Sequence, residues 1–159
     1  MKDYLQKMFD QNRVTFGSLS PDKIMALTIY AEARGEPREG KIAVGSVILE
    51  RVDHRAWDGT NITDVCLWPY QFSCFLQGDP NLSMLKSIAL NWHNEIINNP
   101  VLNECWNIAV DLILGKLPRD IKIAEAHACQ YLTTAAKANT EWWKSMQFVE
   151  KVGAQEFYA

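Results

Sequence analysis

The chain has 159 residues, with 16 Lys and Arg against 19 Asp and Glu, and so a formal net charge of -3 at pH 7. Apolar residues make up 48% and charged residues 22%, a balance that excludes a disordered or fibrous chain and predicts a single domain over residues 1–159. The sequence contains no block of basic residues and no apolar run of membrane-spanning length, so neither nucleic acid nor a membrane span is expected.

The first third of the chain predicts three helices. Residues 1–18 predict a short polar helix followed by a turn. Residues 20–34 predict a second helix, which begins with Pro21 in its first turn and carries an apolar stripe. Residues 37–54 are apolar on most helical faces and predict a central, buried helix.

The rest of the chain combines a loop with further helices. Residues 55–81 contain several helix-breaking Gly, Pro and Asn residues and predict a long ordered loop. Helices are predicted over 82–99 and 100–118, and a short helix over 139–153 before an irregular tail. Residues 121–134 fit either a strand or an irregular segment. The predicted fold class is therefore mainly α, a helical domain with a long irregular loop.

Cysteine and histidine spacing gives no metal signature. Four cysteines occur without a C-x-x-C pair: Cys66, Cys74, Cys105 and Cys129. The N-terminus lacks the apolar stretch of a secretory signal, so we expect the chain to be made in a cytoplasm, with unpaired and mostly buried thiols. The three histidines have no spacing that predicts a triad or a metal site, and no cofactor is expected: His54, His93 and His127.

Glu32 is placed where an apolar stripe meets a charged turn. Met25 and Ile29, seven and three residues earlier, are both apolar, so Glu32 borders the buried face of its helix. Partial burial raises the pKa of a carboxyl group, as a general acid acting on a glycosidic oxygen requires. Glutamates at helix ends are also commonly just solvated, so the position alone leaves both interpretations open.

Three segments carry a resemblance to a known family. The stretch "YAEARGEPREGKIAVGSVILERV" closely resembles the opening motif of SleB/CwlJ-type cell wall hydrolases, roughly Y-G-E-A-R-G-E-x-x-x-G-x-x-A-V-x-x-V-x-x-N-R-V. "PYQFSCF" resembles the Q-F-S loop of that family, and the segment from "ACQYLTT" to the end resembles its closing A-T-H-Y and I-G-x-H-x-F-Y patterns. The resemblance runs from about residue 24 to residue 159.

The resemblance implies a lysozyme-like helical fold that cleaves the glycan strands of peptidoglycan, with Glu32 as the catalytic acid and base. The chain departs from the family pattern at three positions. Gln130 and Gln155 replace two histidines, and Glu50 replaces the asparagine of N-R-V. Glutamine forms hydrogen bonds but does not titrate, so any proton transfer by those histidines is absent here.

Further residues around these motifs are candidates for supporting roles. Glu36 is expected to act as a helix cap or as an ion-pair partner of Arg34 or Arg38, and Arg34 to position the turn. The long loop is expected to wall the cleft, with Gln71 and Ser73 as sugar contacts. Tyr131 is expected to bind either substrate or Glu32, although a packing role is nearly as well supported. The tryptophans expected in the core are Trp57, Trp68, Trp92 and Trp106.

No second carboxylate occupies a convincing position, and this absence favours lytic transglycosylation, with Glu32 as the sole acid and base. The alternative enzyme is a hydrolysing muramidase that uses Glu39 or Asp64 as its second carboxylate. The alternative from another class is a non-catalytic glycan-binding or virion structural domain. The expected partner is the peptidoglycan glycan strand. We expect a monomer that reaches the wall by phage-type release or from a virion.

Overall fold

The computed structural model describes residues 1–55 and 59–159, and Trp57 lies outside these described residues. The helices run in this order: α1 (Lys2–Phe16), α2 (Pro21–Ala33), α3 (Arg38–His54), α4 (Ile62–Leu67), α5 (Pro80–Leu90), α6 (Trp92–Asn98), α7 (Pro100–Ile113) and α8 (Ile121–Ala126). Three short strands follow: β1 (Gln130–Thr133), β2 (Phe148–Val152) and β3 (Gln155–Tyr158). The predicted mainly α fold is confirmed.

The core is built around α2, α3 and α7, which pack against one another. α3 is buried along most of its length, as expected from the sequence, and the apolar stripe of α2 packs against it. Gly45 of α3 allows this close packing. A Cβ at Gly45 would lie 2.6 Å from Leu112 Cδ1 of α7 and 3.2 Å from Met25 Cε of α2. The short side chain therefore lets three helices meet at one point.

The N-terminal helix is more firmly attached than its polar sequence predicts. Phe9 and Phe16 of α1 are buried in the main core. Asn12 is also buried, and its Nδ2 donates to the carbonyl oxygen of Leu67, the last residue of α4, at 2.9 Å. Because an unpaired buried amide would be costly, this hydrogen bond fixes α1 against α4.

Several predicted elements differ from the structure, and residues 121–126 form α8 where a strand or an irregular segment was expected. The predicted loop over 55–81 contains α4 and a 3-10 turn over Ser73–Phe75. The predicted helix over 82–99 divides into α5 and α6 at Asn91, whose backbone (φ -116°, ψ 27°) leaves the helical region. The Asn91 side chain donates to the Ser87 carbonyl at 3.1 Å, and such local bonds compete with helix propagation.

The C-terminal segment forms a sheet instead of the predicted short helix and irregular tail. The strands are antiparallel in the order β1-β3-β2, and β3 is the central strand. A two-residue turn at Gly153 (φ +59°) connects β2 to β3. All four residues of β3 are buried, so the strand shows no alternation of apolar and polar residues that would identify it in the sequence.

Two further sequence predictions concern the burial of the tryptophans and the length of apolar helices. Trp68, Trp92 and Trp106 are partly buried against the main core, as predicted. Within the described ranges, no helix is both long and apolar enough to traverse a lipid bilayer.

Candidate functional site

Glu32 lies on the last turn of α2 and is half-buried. The apolar residues that precede it, Met25 and Ile29, are fully buried, so the apolar face of α2 directs Glu32 to the boundary between core and solvent. The turn that follows, at Gly35, leads directly into α3. Glu32 therefore sits at the α2–α3 junction, where the sequence pattern places it.

Two other parts of the chain reach the Glu32 carboxylate. The Tyr131 hydroxyl of β1 donates to Glu32 Oε2 at 3.0 Å, which is one of the two contacts expected for Tyr131. The thiol of Cys74, in the 3-10 turn of the long loop, also lies at the Glu32 carboxylate and lowers its pKa. The site therefore joins α2, β1 and the long loop around a single carboxyl group.

Burial raises the pKa of Glu32 above its ordinary value, and the negative charge of Asp79 raises it further. The hydrogen bonds from Tyr131 and Cys74 act in the opposite direction, as does the positive charge of Arg51, but burial prevails. The same carboxylate raises the pKa of Tyr131, for which burial is again the largest cause. Glu32 is thus a carboxyl group biased towards its protonated form while still reachable from solvent, as a proton donor requires.

Arg51 of α3 was missed as a site residue in the sequence, although it belongs to the E-R-V motif. It is 3% exposed, and its guanidinium donates to the Cys129 carbonyl at 2.8 Å and to the Gln71 carbonyl at 3.1 Å. It therefore ties both segments that reach Glu32, the long loop and the approach to β1, to the central helix. The available signal was a basic residue within an otherwise buried helix.

The long loop reaches Glu32 through Cys74 rather than through the two residues predicted to contact sugar. Gln71 is half-buried and its carbonyl is held by Arg51, whereas Ser73 is exposed beside Cys74. The structure thus brings the loop to Glu32, and the sugar contacts of Gln71 and Ser73 stay predictions. Cys74 itself was expected only to be a buried thiol.

Glu36 has a different partner from the one predicted. Among the described residues it forms no ion pair with Arg34 or Arg38; its Oε2 accepts instead from the backbone N–H of Ala154 at 2.9 Å. Arg34 donates to the Ala31 carbonyl at 3.1 Å and lies over the ring of Tyr30. Glu36 therefore attaches the α2–α3 junction to the β2–β3 turn, and Arg34 stays on the end of its own helix.

Gln155, which stands where the family pattern has a histidine, contacts the same junction. It is 1% exposed, and its Nε2 donates to the backbone carbonyl of Glu32 at 3.1 Å. The central strand β3 therefore holds the main chain of the catalytic candidate while β1 holds its side chain. A glutamine performs this positioning without a titrating group.

The acidic neighbour that acts on Glu32 is Asp79, rather than Glu39 or Asp64. Asp79 caps α5 by accepting from the backbone N–H of Asn81 at 2.8 Å. The Asp64 Oδ1 atom instead lies 3.7 Å from Arg13 Nη1. Glu39 is exposed on the first turn of α3. Asp79 is thus the acidic side chain whose charge raises the pKa of Glu32, and its sequence signal was that of an N-cap before Pro80.

The histidines give a finding that the sequence did not predict, and the cysteines confirm a prediction. One ligand atom from each of His54, His127 and Glu50 lies within 4.8 Å of the others, a convergence that the sequence spacing of the histidines did not predict. Cys66, Cys74 and Cys105 are buried thiols, as predicted. Cys129 is half-buried.

The chain resembles spore cortex-lytic enzymes over short regions. One from Oceanobacillus iheyensis is 39% identical over 56 residues, or 35% of this chain and 20% of the relative. One from Bacillus cereus is 34% identical over 70 residues, or 42% of this chain and 27% of the relative. The chain therefore matches less than a third of the length of either relative.

Two solved structures share the fold. The catalytic domain of the Bacillus cereus SleB protein superposes with a TM-score of 0.59 and 22% identity, covering 87% of this chain and 89% of that one. The catalytic domain of the germination-specific lytic transglycosylase SleB from Bacillus anthracis gives the same TM-score and identity, covering 87% and 93%. These likenesses confirm the predicted lysozyme-like fold.

The sequence model of the family described as Cell Wall Hydrolase matches residues 35–158. The match begins just after Glu32, so the proposed role of Glu32 depends on the geometry given above. It includes α3, the long loop and the whole sheet, and with them Cys74, Tyr131 and Gln155, which contact Glu32. With most of its length matched, the chain belongs to the cell wall hydrolase family, as the resemblance of its motifs predicts.

Proposed function

We propose that the chain cleaves the glycan strands of peptidoglycan as a lytic transglycosylase, with Glu32 as the sole general acid and base. The observation that carries the proposal is the half-buried Glu32, whose pKa is raised by burial and whose carboxylate is held by Tyr131 at 3.0 Å. Membership of the cell wall hydrolase family, and the fold shared with a germination-specific lytic transglycosylase, support the same class of reaction.

In the proposed reaction, Glu32 first gives its proton to the oxygen that bridges N-acetylmuramic acid and N-acetylglucosamine. The bond from that oxygen to the muramic anomeric carbon breaks, and the leaving sugar keeps the oxygen as a hydroxyl group. The Glu32 carboxylate then takes the proton of the muramic C6 hydroxyl, whose oxygen bonds to the anomeric carbon. A 1,6-anhydro ring forms, Glu32 regains its proton and no water is consumed.

A specific observation favours hydrolysis as the second candidate function. The charge of Asp79 raises the pKa of Glu32, so a second carboxylate acts on the proton donor. In an inverting hydrolase such a group activates water from a separation of roughly 6.5–9.5 Å. Against this role, Asp79 already accepts hydrogen bonds from both the backbone and the side chain of Asn81.

Digestion of purified peptidoglycan in heavy-oxygen water separates these functions. Transglycosylation gives unlabelled anhydro-muramic products, about one water lighter than muramidase products in the mass spectrum.

Glu32→Gln should lower the rate of cleavage more than tenfold, which corresponds to an activation barrier raised by more than about 1.4 kcal/mol. Glu39→Gln removes an exposed carboxylate nearby and serves as the matched control, with unchanged products and rate.

Each other outcome would contradict the proposal in its own way. Reducing muramic ends that carry heavy oxygen, and their loss in Asp79→Asn, would show that the chain is a hydrolase. Binding of glycan strands without cleavage would show a non-catalytic domain. Full activity of Glu32→Gln would exclude Glu32 as the sole acid and base.

A further inference from the structure

Glu50, which replaces the family asparagine, is a buried carboxylate at the end of α3. Its side chain is 2% exposed, and its Oε1 accepts from Arg119 Nη1 at 2.6 Å. The other oxygen, Oε2, faces two imidazoles: His54, one helical turn later on α3, and His127, which follows α8. The two oxygens of Glu50 thus have separate environments, one cationic and one formed by two histidines.

The distances around Glu50 Oε2 match those of a metal-ligand set. His54 Nε2 lies 3.3 Å from this oxygen and His127 Nδ1 lies 3.1 Å from it. The three ligand atoms all lie within 4.8 Å of one another. Ligands at about 2.0–2.1 Å from a tetrahedral zinc ion are separated by roughly 3.3–3.4 Å. Two of the three separations are therefore already close to the edges of such a tetrahedron.

The local charges favour a cation. Arg119 spans two carboxylates, since its Nη2 also lies 2.6 Å from Asp53 Oδ2. With neutral imidazoles, Glu50, Asp53 and Arg119 together carry one negative charge. Arg119 also fixes the orientation of Glu50, as outer hydrogen-bond partners do for the carboxylate ligands of known metal sites. The His54 and His127 side chains are 43% and 61% exposed, so an ion can reach them from solvent.

The backbone at His127 sets the position of its imidazole at the end of α8. His127 is the C-cap of α8 in the left-handed conformation, with φ 51° and ψ 42°. Non-glycine residues are uncommon in this region. This conformation ends α8 at the point where the imidazole meets Glu50.

We propose that Glu50 Oε2, His54 Nε2 and His127 Nδ1 bind a zinc ion, with water as the fourth ligand. Two nitrogens and one carboxylate oxygen form a donor set typical of zinc. The ion links the end of α3 to the segment that continues through Cys129 to β1. Arg51 already anchors this segment through the Cys129 carbonyl, and it presents Tyr131 to Glu32. The metal therefore acts as a cross-link that holds the Tyr131 strand in place.

The test uses the full chain, stripped with a chelator and titrated with zinc chloride alone. Calorimetry should give one zinc ion per chain, and zinc should raise the melting temperature. His54→Ala and His127→Ala should each weaken zinc binding at least tenfold, about 1.4 kcal/mol, and remove the thermal shift. The matched control is His93→Ala, which removes the third histidine, exposed on α6, and should bind zinc as the wild type does.

Replacement of zinc by cobalt(II) identifies the ligands directly. The visible spectrum should be that of a tetrahedral cobalt site with nitrogen and oxygen ligands, and it should be lost in both histidine variants. A strong thiolate-to-cobalt charge-transfer band would mean that cysteines bind the metal and would overturn the proposal. It would also be overturned by an absence of binding, or by equal affinity in wild type, His54→Ala and His127→Ala.

Discussion

Tyr131 and Glu32 form the contact on which the proposed proton donation depends. The Tyr131 hydroxyl donates to the carboxylate at 3.0 Å and lowers the pKa of Glu32 against the effect of burial. Tyr131→Phe should therefore raise that pKa further, since a hydrogen bond to a charged group contributes about 1.5–3 kcal/mol. Activity of a general acid falls as pH rises through its pKa, so the alkaline limb of the pH–rate profile should move to higher pH.

Tyr30→Phe is the matched control for that measurement. Tyr30 is on the same helix, and its hydroxyl accepts from Asn99 Nδ2 at 3.0 Å. Its loss should affect stability without moving the alkaline limb. A Tyr131→Phe profile with an unmoved alkaline limb would show that the hydroxyl does not act on the titrating group.

Burial of Glu32 also predicts how stability varies with pH. The folded pKa is raised, so the stabilisation by this proton is fully present below the unfolded pKa, about 4.3, and is lost as pH rises through the folded pKa. Glutamine has no charge to desolvate. Glu32→Gln should therefore be more stable than wild type at about pH 7, with a difference that shrinks towards about pH 4.

Urea unfolding at several pH values measures this difference directly. Glu39→Gln, at an exposed position, should show no comparable change between neutral and acidic pH. If the advantage of Glu32→Gln grew on acidification, the carboxyl would be stabilised in its charged form, and the proposed proton donor would be the wrong group.

Among the secondary-structure elements, the β2–β3 turn connects the sheet to the α2–α3 junction through Glu36, beside the contacts of Tyr131 and Gln155 with Glu32. Gly153 has φ +59°, and a Cβ there would overlap Glu36 Oε2, which accepts from Ala154 N. Gly153→Ala should therefore combine the cost of an alanine at positive φ, roughly 1–2 kcal/mol, with the loss of a charged hydrogen bond, about 1.5–3 kcal/mol.

Gly115 provides the matched comparison for Gly153. It has φ +68°, and a Cβ would meet nothing within 4 Å, so Gly115→Ala carries only the backbone cost. Denaturant unfolding should show a larger loss for Gly153→Ala, and the excess should disappear in the Glu36→Ala background. Equal losses at both positions would mean that the Glu36 contact does not stabilise the turn.

The helices were predictable where local signals agree with packing. Pro21 begins α2, Pro100 begins α7, and the apolar faces of α2 and α3 predict their burial. The sheet was not predictable because β3 is buried along its whole length and its partners are short. Its contacts with the α2–α3 junction, through Glu36 and Gln155, join residues more than a hundred positions apart, and no local pattern indicates them.

At the scale of the whole molecule, some residues of the candidate site could be predicted from the sequence and others could not. Glu32 could be predicted because a family motif surrounds it, and Tyr131 because it follows a recognisable tyrosine pattern. Arg51, Cys74 and Asp79 act on Glu32 only once α3 and the long loop meet at α2. Their sequence signals, a basic residue in a buried helix, a thiol and an N-cap, are each more commonly structural.

The rates at which a thiol reagent labels the cysteines should show how the fold opens. Burial raises the pKa of Cys66 and of Cys105 to about 12, and that of Cys74 well above its ordinary value. Because the thiolate is the reactive form, these three residues should react only when the fold opens. Cys129 is half-buried and should be labelled first by a thiol reagent at about pH 8.

The order of labelling, read by mass spectrometry, tests which openings are local. Cys74 lies in the long loop against Glu32, so opening of this loop should expose it before the core unfolds. Cys66 on α4 and Cys105 on α7 are both fully buried in the main core, so they should react last and at the same rate, set by global unfolding. If Cys105 reacted well before Cys66, α7 would open separately from α4 and the core would not unfold as one unit. If Cys74 reacted at the global rate, the long loop would be a fixed part of that core, and glycan strands would have to reach Glu32 without any movement of it.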